Sequence, residues 1–340
     1  MNDIVYIVTG AAGHLGSYIV RELLSQGKRV RGLLLPGETC PDFIDINRHL
    51  LEEHKGNVCD PDSLDRMFGV YPSEDFIVIH CAGIVSITKK EDRRVYDVNV
   101  RGTKNIIDIC MKHPVKRLVY ISSVHAIPPL PRGQVMHEVE SFDPDAVPGY
   151  YDKTKAIATQ LVLDAAADGL DAVVVHPSGI VGPNSLPTGN MAQLIALYVR
   201  GKLPAAIRGG YDFVDVRDVA TGVVAAAAKG RSGECYILSN RYIDLKEIFD
   251  VLFQAGAVKK LKVNLPLWVA KMVAPFAEVY YRLFHKTPLF TRDSLRIISE
   301  NGLFSHEKAS RELNYITRSL KETLTDTALW IRACGQRRCS

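Results

Sequence analysis

An imbalance of charge is the first thing this 340-residue chain lacks: 42 basic and 38 acidic residues leave a formal net charge of +4, spread along its length. So mild and mixed a balance excludes an electrostatic nucleic-acid partner. Cysteine is sparse and badly arranged for cross-linking. The seven (40, 59, 81, 110, 235, 334, 339) are odd in number and never form a C-x-x-C pair, so neither a disulfide framework nor a zinc site is expected, and no other metal site. A reducing, cytoplasmic setting fits that usage, as does an opening without the basic, apolar and small-residue segments of a signal peptide. No run reaches the roughly 20 apolar residues of a membrane span. The nearest, "LPLWVAKMVAPFAEVYYRLF" (265 to 284), is interrupted by Lys271, Pro275, Glu278 and Arg282. It is expected to be a packed amphipathic helix or a cap over an apolar pocket rather than an interfacial helix. Internal repeats and low-complexity tracts are also missing.

What is present is a composition of 47% hydrophobic and 24% charged residues, ordinary for a globular protein with a sizeable core. In the first half, short β-branched runs alternate with helical patterns. Strands are expected at 4–8, 29–34, near 50–57, 76–80, 117–121 and 171–176, and helices at about 14–26, 61–69, 93–113 and 151–168. This is the pattern of an α/β fold, a doubly wound parallel sheet of Rossmann type, with ligand-binding loops along the edge where the strands end. The expected division is a dinucleotide-binding domain over 1–178, to which segments of 209–238 return. A smaller, mainly helical lobe over 179–330 would bind substrate, and 331–340, ending in "RRCS", would be a frayed tail.

Residues 9 to 16, "TGAAGHLG", stand between the strand "IVYIV" and the helix "SYIVRELLSQG". Gly10 permits the tight turn, Gly13 lets the backbone approach a pyrophosphate, and Gly16 lets helix and strand pack closely, with the anion at the helix N-terminus. His14 within this loop reads as a structural residue rather than an acid or base. At the end of the second strand an acid would select NAD and an arginine NADP. Leu34 and Leu35 stand there instead, so the choice between NAD and NADP stays open. Arg31 is either a phosphate ligand that turns over or a solvated strand residue.

"GYYDKTKA" (149 to 156) holds two tyrosines and two lysines. Helical spacing pairs Tyr151 with Lys155 and Tyr150 with Lys153 or Thr154, which leaves two candidates for proton transfer. A lysine one turn away would stabilise a phenolate and lower a pKa that is otherwise about 10.

The order of "TGAAGHLG", "HCAG" (80 to 83), "NVRGT" (99 to 103), "ISS" (121 to 123), Tyr151-x-x-x-Lys155 and "HPSGIVGP" (176 to 183) resembles the extended short-chain dehydrogenase/reductases over roughly residues 1 to 240. That resemblance implies Tyr151 as general acid or base, Lys155 as its partner and a holder of the nicotinamide ribose, and Ser123 as donor to the substrate oxygen. Asn99 would brace backbone and water near the lysine, and Ser122 would be structural. It further implies a cofactor bound by Gly10, Ala12, Gly13, His14, Leu15, Gly16, Asn57, Val58, Ala82, Gly83, Tyr151, Lys155, Pro177 and Ser178. Asn57 replaces the usual aspartate at the adenine amino group and would accept that bond through its side-chain carbonyl. Asp60 reads as a helix cap before Pro61. Pairing of two copies through helices is a further implication.

Nucleotide-sugar enzymes of the family carry an arginine where "GGYDFVDVRDVATG" (209 to 222) has Tyr211. Together with "HPSGIVGP", this is similar to the dihydroflavonol-reductase and 3β-hydroxysteroid-dehydrogenase branches. Trp268, Met272, Phe276, Tyr280, Tyr281 and Phe284 would wall an apolar pocket or simply pack. The function expected is an NAD(P)-dependent oxidoreductase moving a hydride between nicotinamide and a secondary alcohol or ketone of a fairly apolar small molecule. The alternatives are a sugar epimerase or dehydratase with tightly held NAD, and a non-catalytic dinucleotide sensor.

Overall fold

The structure is a computed structural model that describes residues 3–68, 74–86, 89–185, 190–203, 205–256, 261, 264–270, 272, 295–296 and 298–337. Its first strand, β1 (Asp3–Thr9), is apolar from Val5 to Val8 and buried there on both faces, so its place is inside a covered sheet. On one side it pairs in parallel with β2 (Arg29–Leu34), which pairs with β3 (Leu51–Lys55). On the other side β4 (Glu74–His80), β5 (Val115–Ile121) and β6 (Ala172–Pro177) follow. The chain then makes β7 (Gly179–Val181), β8 (Ala206–Ile207) and β9 (Gly210–Asp215) before β10 (Cys235–Leu238) returns to pair with β6. Among the described residues this completes a seven-stranded sheet in the order β10-β6-β5-β4-β1-β2-β3. Strand order reverses at β1, and the Gly loop follows β1 directly, so the fold places its ligand crevice there.

Helices His14–Ser25 and Val216–Lys229 cover one face, packing Leu15, Ile19, Val219 and Val223 on the sheet. Gly102–Cys110 and Tyr150–Ala167 cover the other through Ile106, Cys110, Ala158 and Val162. Seven parallel strands flanked by helices, buried at the centre and exposed at the β3 edge, are the doubly wound sheet expected. The mainly helical C-terminal part has its own core, in which Tyr198, Phe249, Leu252, Leu324 and Ile331 meet β9 through Phe213.

Several expected elements differ in detail. The single helix expected over 93–113 is Arg93–Tyr96, a π-turn at Asp97–Arg101 and Gly102–Cys110. Just past 178, where the dinucleotide-binding domain was expected to end, β7 joins β9 and β11 (Arg241–Asp244) in a three-stranded sheet. The boundary at 330 falls inside the helix Leu320–Arg337. Asp60 does cap Pro61–Asp65, accepting the Asp62 N–H at 3.2 Å.

Arg31 is neither solvated nor free to reach a phosphate. Its guanidinium is buried and spent on Glu52 (2.8 Å), Glu74 (2.8 Å) and the Met67 carbonyl (3.1 Å). Trp268 and Met272 are 64% and 60% exposed, so neither simply packs into the core. Phe276, Tyr280, Tyr281 and Phe284 lie outside the described residues.

Candidate active site

Gly10 ends β1 with φ +68°, and a Cβ there would lie 3.0 Å from the Ala82 backbone, so only glycine lets the loops after β1 and β4 meet. A Cβ on Gly16 would come within 2.1 Å of the Gly10 carbonyl oxygen. Gly16 therefore seats the helix on the loop itself rather than on the strand. The helix that starts at His14 has no side-chain cap and no acid in its first turn, which leaves its N-terminal dipole for an anion. The His14 imidazole is engaged by a distant loop: Nε2 is 3.0 Å from the Pro183 carbonyl oxygen. Ala12 is partly buried at the loop, whereas the Leu15 and Val58 side chains are buried in the two sheet-face cores.

A buried chain of hydrogen bonds runs behind the loop. Thr9 Oγ1 accepts the N–H groups of Cys81 (3.1 Å) and Ala82 (3.0 Å), so its own proton goes to His80 Nδ1 at 2.8 Å. His80 must then carry its proton on Nε2 and donates it to Thr103 Oγ1 (3.1 Å), which in turn donates to the Asn99 carbonyl (2.7 Å). Burial lowers the His80 pKa to about 3, so the imidazole stays neutral, as this pattern requires. The π-turn delivers Asn99: its Oδ1 accepts the Ile84 N–H (2.8 Å), and its Nδ2 donates to the Ile84 carbonyl (3.0 Å) and to Thr154 (3.1 Å). Asn99 thus pins the loop after Gly83 to the helix Tyr150–Ala167.

On that helix the two tyrosines part company. Tyr150 is partly exposed among the charges of Glu91, Asp92 and Asp97. Tyr151 is buried and hydrogen-bonded to the Ser123 hydroxyl. Lys155 is buried as well. Its ammonium donates to the Ile121 carbonyl (2.7 Å) and the Tyr120 hydroxyl (3.3 Å) and lies 4.9 Å from the centre of the Tyr120 ring. No carboxylate pairs with it among the described residues, and desolvation lowers its pKa to about 8. A Cβ on Gly83 would stand 3.3 Å from Asn99 Oδ1 and 3.6 Å from Lys155 Nζ, so the strand-end glycine is the floor beside the ammonium.

The lowering of the Tyr151 pKa expected from Lys155 is not what this arrangement gives. Burial pushes the phenol well above 10; the Ser123 hydrogen bond offsets part of this, and Asp152 adds to it. The ammonium is aimed at Ile121 and Tyr120, and the phenol is held as a proton donor.

Ser123, two residues past β5 and in extended conformation, has its carbonyl 3.0 Å from His176 Nδ1 and its Oγ accepting the His125 N–H at 3.2 Å. Ser122 is structural, its hydroxyl 2.6 Å from that of Thr159. The Ser178 hydroxyl donates to Asp212 Oδ1 (2.5 Å) and its N–H to the Leu238 carbonyl (3.2 Å), so both of its donors are engaged within the protein. Asn57 Oδ1 already accepts the Cys59 N–H at 2.9 Å, and one lone pair is left for adenine.

Residues that the sequence reading passed over also crowd this site. His125 lies edge-on to Tyr151 (6.2 Å) and stacks on Tyr211 (5.7 Å), while its Nδ1 is 3.6 Å from Asp152. Phe304 packs edge-on to Tyr211 at 5.9 Å. The signal for His125 was its place two residues after Ser123, where the strand-end turn projects side chains back over the site.

The family described as "NAD dependent epimerase/dehydratase family" matches residues 6–239. Among curated proteins, one from Synechocystis sp. provisionally named a dihydroflavonol 4-reductase is 30% identical over 334 residues, covering 97% of this chain and 95% of its own. The Mus musculus 3 beta-hydroxysteroid dehydrogenase type 7 is 28% identical over 97% of this chain and 96% of its own. Among solved structures, the crystal structure of gox2253 superposes with a TM-score of 0.81 at 32% identity, covering 98% of this chain and 99% of that one.

Proposed function

Because the chain belongs to the NAD-dependent epimerase/dehydratase family, we propose that it interconverts a secondary alcohol and a ketone on a fairly apolar small molecule, with Tyr151 handling the proton. The observation that carries this reading is the meeting of two sets of residues. The glycines 10, 13 and 16 and the uncapped helix end form a cradle for a dinucleotide, and Gly83, where a Cβ would stand 3.6 Å from Lys155 Nζ, continues it to the ammonium. The cradle's shape depends on its glycines, because a Cβ at Gly10 would press on the Ala82 backbone and one at Gly16 on the Gly10 carbonyl.

When bound, the nicotinamide supplies or accepts the hydride. Everything else falls to the chain's own side chains. Ser123 orders the substrate oxygen and Tyr151 beside it gives up a proton from its phenol oxygen, a role suited to a group that burial keeps protonated. Lys155 holds a positive charge behind that proton and, by releasing Ile121 or Tyr120, can turn to a ribose hydroxyl. Asn99 keeps the Ile84 loop and the Tyr151 helix at fixed separation. Tyr211, His125 and Phe304 form an aromatic wall next to Tyr151 where a nucleotide-sugar enzyme would need an arginine for a pyrophosphate. A fused-ring or similarly flat alcohol suits that wall, in keeping with the 3β-hydroxysteroid named in one relative.

The cysteines among the described residues are free thiols, which suits a reducing compartment. No helix among the described residues is long and apolar enough to cross a membrane.

The deciding experiment follows reduced nicotinamide by absorbance while the protein is offered 3β-hydroxysteroids and their ketones. Net turnover that Tyr151→Phe abolishes is the expected result. A dinucleotide retained through purification with no net redox change would mark an epimerase instead. Full activity in Tyr151→Phe would remove the assigned proton transfer.

A further inference from the structure

The second strand ends without a charged residue, but the turn after it supplies one. Glu38 donates its N–H to the Leu35 carbonyl at 3.0 Å, and Gly37 at the third position has φ +88°. With Pro36 second, Leu35-Pro36-Gly37-Glu38 has the sequence and geometry of a type II turn. The turn brings the Glu38 side chain back onto the strand it left, where Oε2 accepts the Leu35 N–H at 3.0 Å. Two hydrogen bonds between the same two residues therefore hold a carboxylate at the tip of β2.

That tip adjoins the glycine loop. The Ala11 N–H donates to the Leu33 carbonyl at 3.3 Å, and a Cβ on Gly32 would touch Ala11 at 2.9 Å. In this fold the adenosine ribose lies along the end of the second strand, where an acid reads its 2′-hydroxyl and a cation its 2′-phosphate. The cations of this edge are already matched. Arg31 is sealed against Glu52 and Glu74, Arg48 stands 3.3 Å from Glu53, and Lys55 stands 3.7 Å from Glu53 and donates to the Glu38 carbonyl.

We propose that Glu38 makes this chain selective for NAD(H) and excludes NADP(H), by accepting the ribose 2′-hydroxyl and repelling a 2′-phosphate. The inference rests on the dinucleotide-binding reading above. It moves the selecting acid from the strand end, where Leu34 and Leu35 stand, to the fourth residue of a turn.

The test is calorimetric titration of the full, dinucleotide-free chain with NADH and with NADPH, which reads binding rather than turnover. The wild-type chain is expected to bind NADH roughly 10- to 100-fold more tightly, from a charge-assisted hydrogen bond gained with one ligand and anion repulsion met with the other. Glu38→Gln keeps an oxygen for the Leu35 N–H and removes the charge. It is expected to narrow the ratio by about fivefold or more, mainly by strengthening NADPH binding. Raising the salt should narrow the wild-type ratio in the same direction. Equal or tighter NADPH binding by the wild type, or a ratio unchanged by Glu38→Gln, would overturn the proposal and leave the dinucleotide reading intact. Binding of neither ligand would overturn both.

Discussion

Replacing Lys155 by methionine should abolish turnover and yet stabilise the protein when no dinucleotide is present. The ammonium is buried with no carboxylate partner among the described residues, and its pKa falls from 10.5 to about 8. That shift corresponds to about 3 kcal/mol of penalty for keeping the charge at neutral pH. Methionine fills a similar volume and removes the penalty, but forfeits the hydrogen bonds to Ile121 and Tyr120, worth about 1 kcal/mol each. A net gain of about 1 to 2 kcal/mol follows, or roughly 2 to 3 °C in a chain of this size. The pH dependence is the sharper signature. Between pH 8 and 10.5 the unfolded chain holds the Lys155 proton more tightly than the folded one, so the wild type gains stability as pH rises through that window. The advantage of Lys155→Met should shrink by about 2 kcal/mol from pH 7.5 to pH 10, with every other titration common to both proteins. Urea unfolding of both proteins at the two pH values measures it. A variant less stable than wild type at pH 7.5, with a difference that does not move with pH, would refute the account of an uncompensated buried cation.

Tyr151→Phe should cost about 10²- to 10⁴-fold in kcat while leaving the affinity for NADH within a few-fold, read by steady-state kinetics beside a binding titration. Since burial keeps the Tyr151 phenol protonated, ketone reduction should stay level from pH 6 to 7.5 while alcohol oxidation climbs with pH; the two profiles measured on one substrate pair check this. His176 is held neutral with a pKa of about 4 against 6.5 when unfolded, so its contribution is intact above pH 6.5 and lost as pH falls toward 4, by about 2 kcal/mol at pH 5. His176→Asn, which can still donate to the Ser123 carbonyl, should flatten that part of the acid unfolding curve. Thr9→Val removes the acceptor for two backbone N–H groups and the donor to His80, and should lower stability by about 2 to 4 kcal/mol in chemical denaturation.

The parts legible in the sequence were those encoded by near neighbours. The glycine spacing at 10, 13 and 16, the alternation of strands and helices, and the Tyr151 to Lys155 interval each concern residues within a few positions, where backbone sterics and helical period decide the outcome. What escaped depends on distant partners. Arg31 looks like a surface residue until Glu74, far along the chain, is brought to 2.8 Å by the pairing of β4 and β2 with β1. His80 reads as one letter of "HCAG" until Thr9 and Thr103 close around it from two other elements. The direction of the Lys155 ammonium was also misjudged, because intervals along a helix say nothing of the carbonyl that ends the neighbouring strand. The same limit hid Glu38, whose carboxylate reaches the strand tip through a turn.

The late arrival of Cys235–Leu238 at the edge of Ala172–Pro177 bears on synthesis. Until more than fifty further residues have been made, a run of three valines at 173 to 175 must wait as an open sheet border, with unpaired N–H and C=O groups facing out. A nascent or truncated chain ending near residue 178 is therefore expected to be prone to aggregate however complete its dinucleotide cradle, and the two parts of the protein cannot be expressed separately by cutting there.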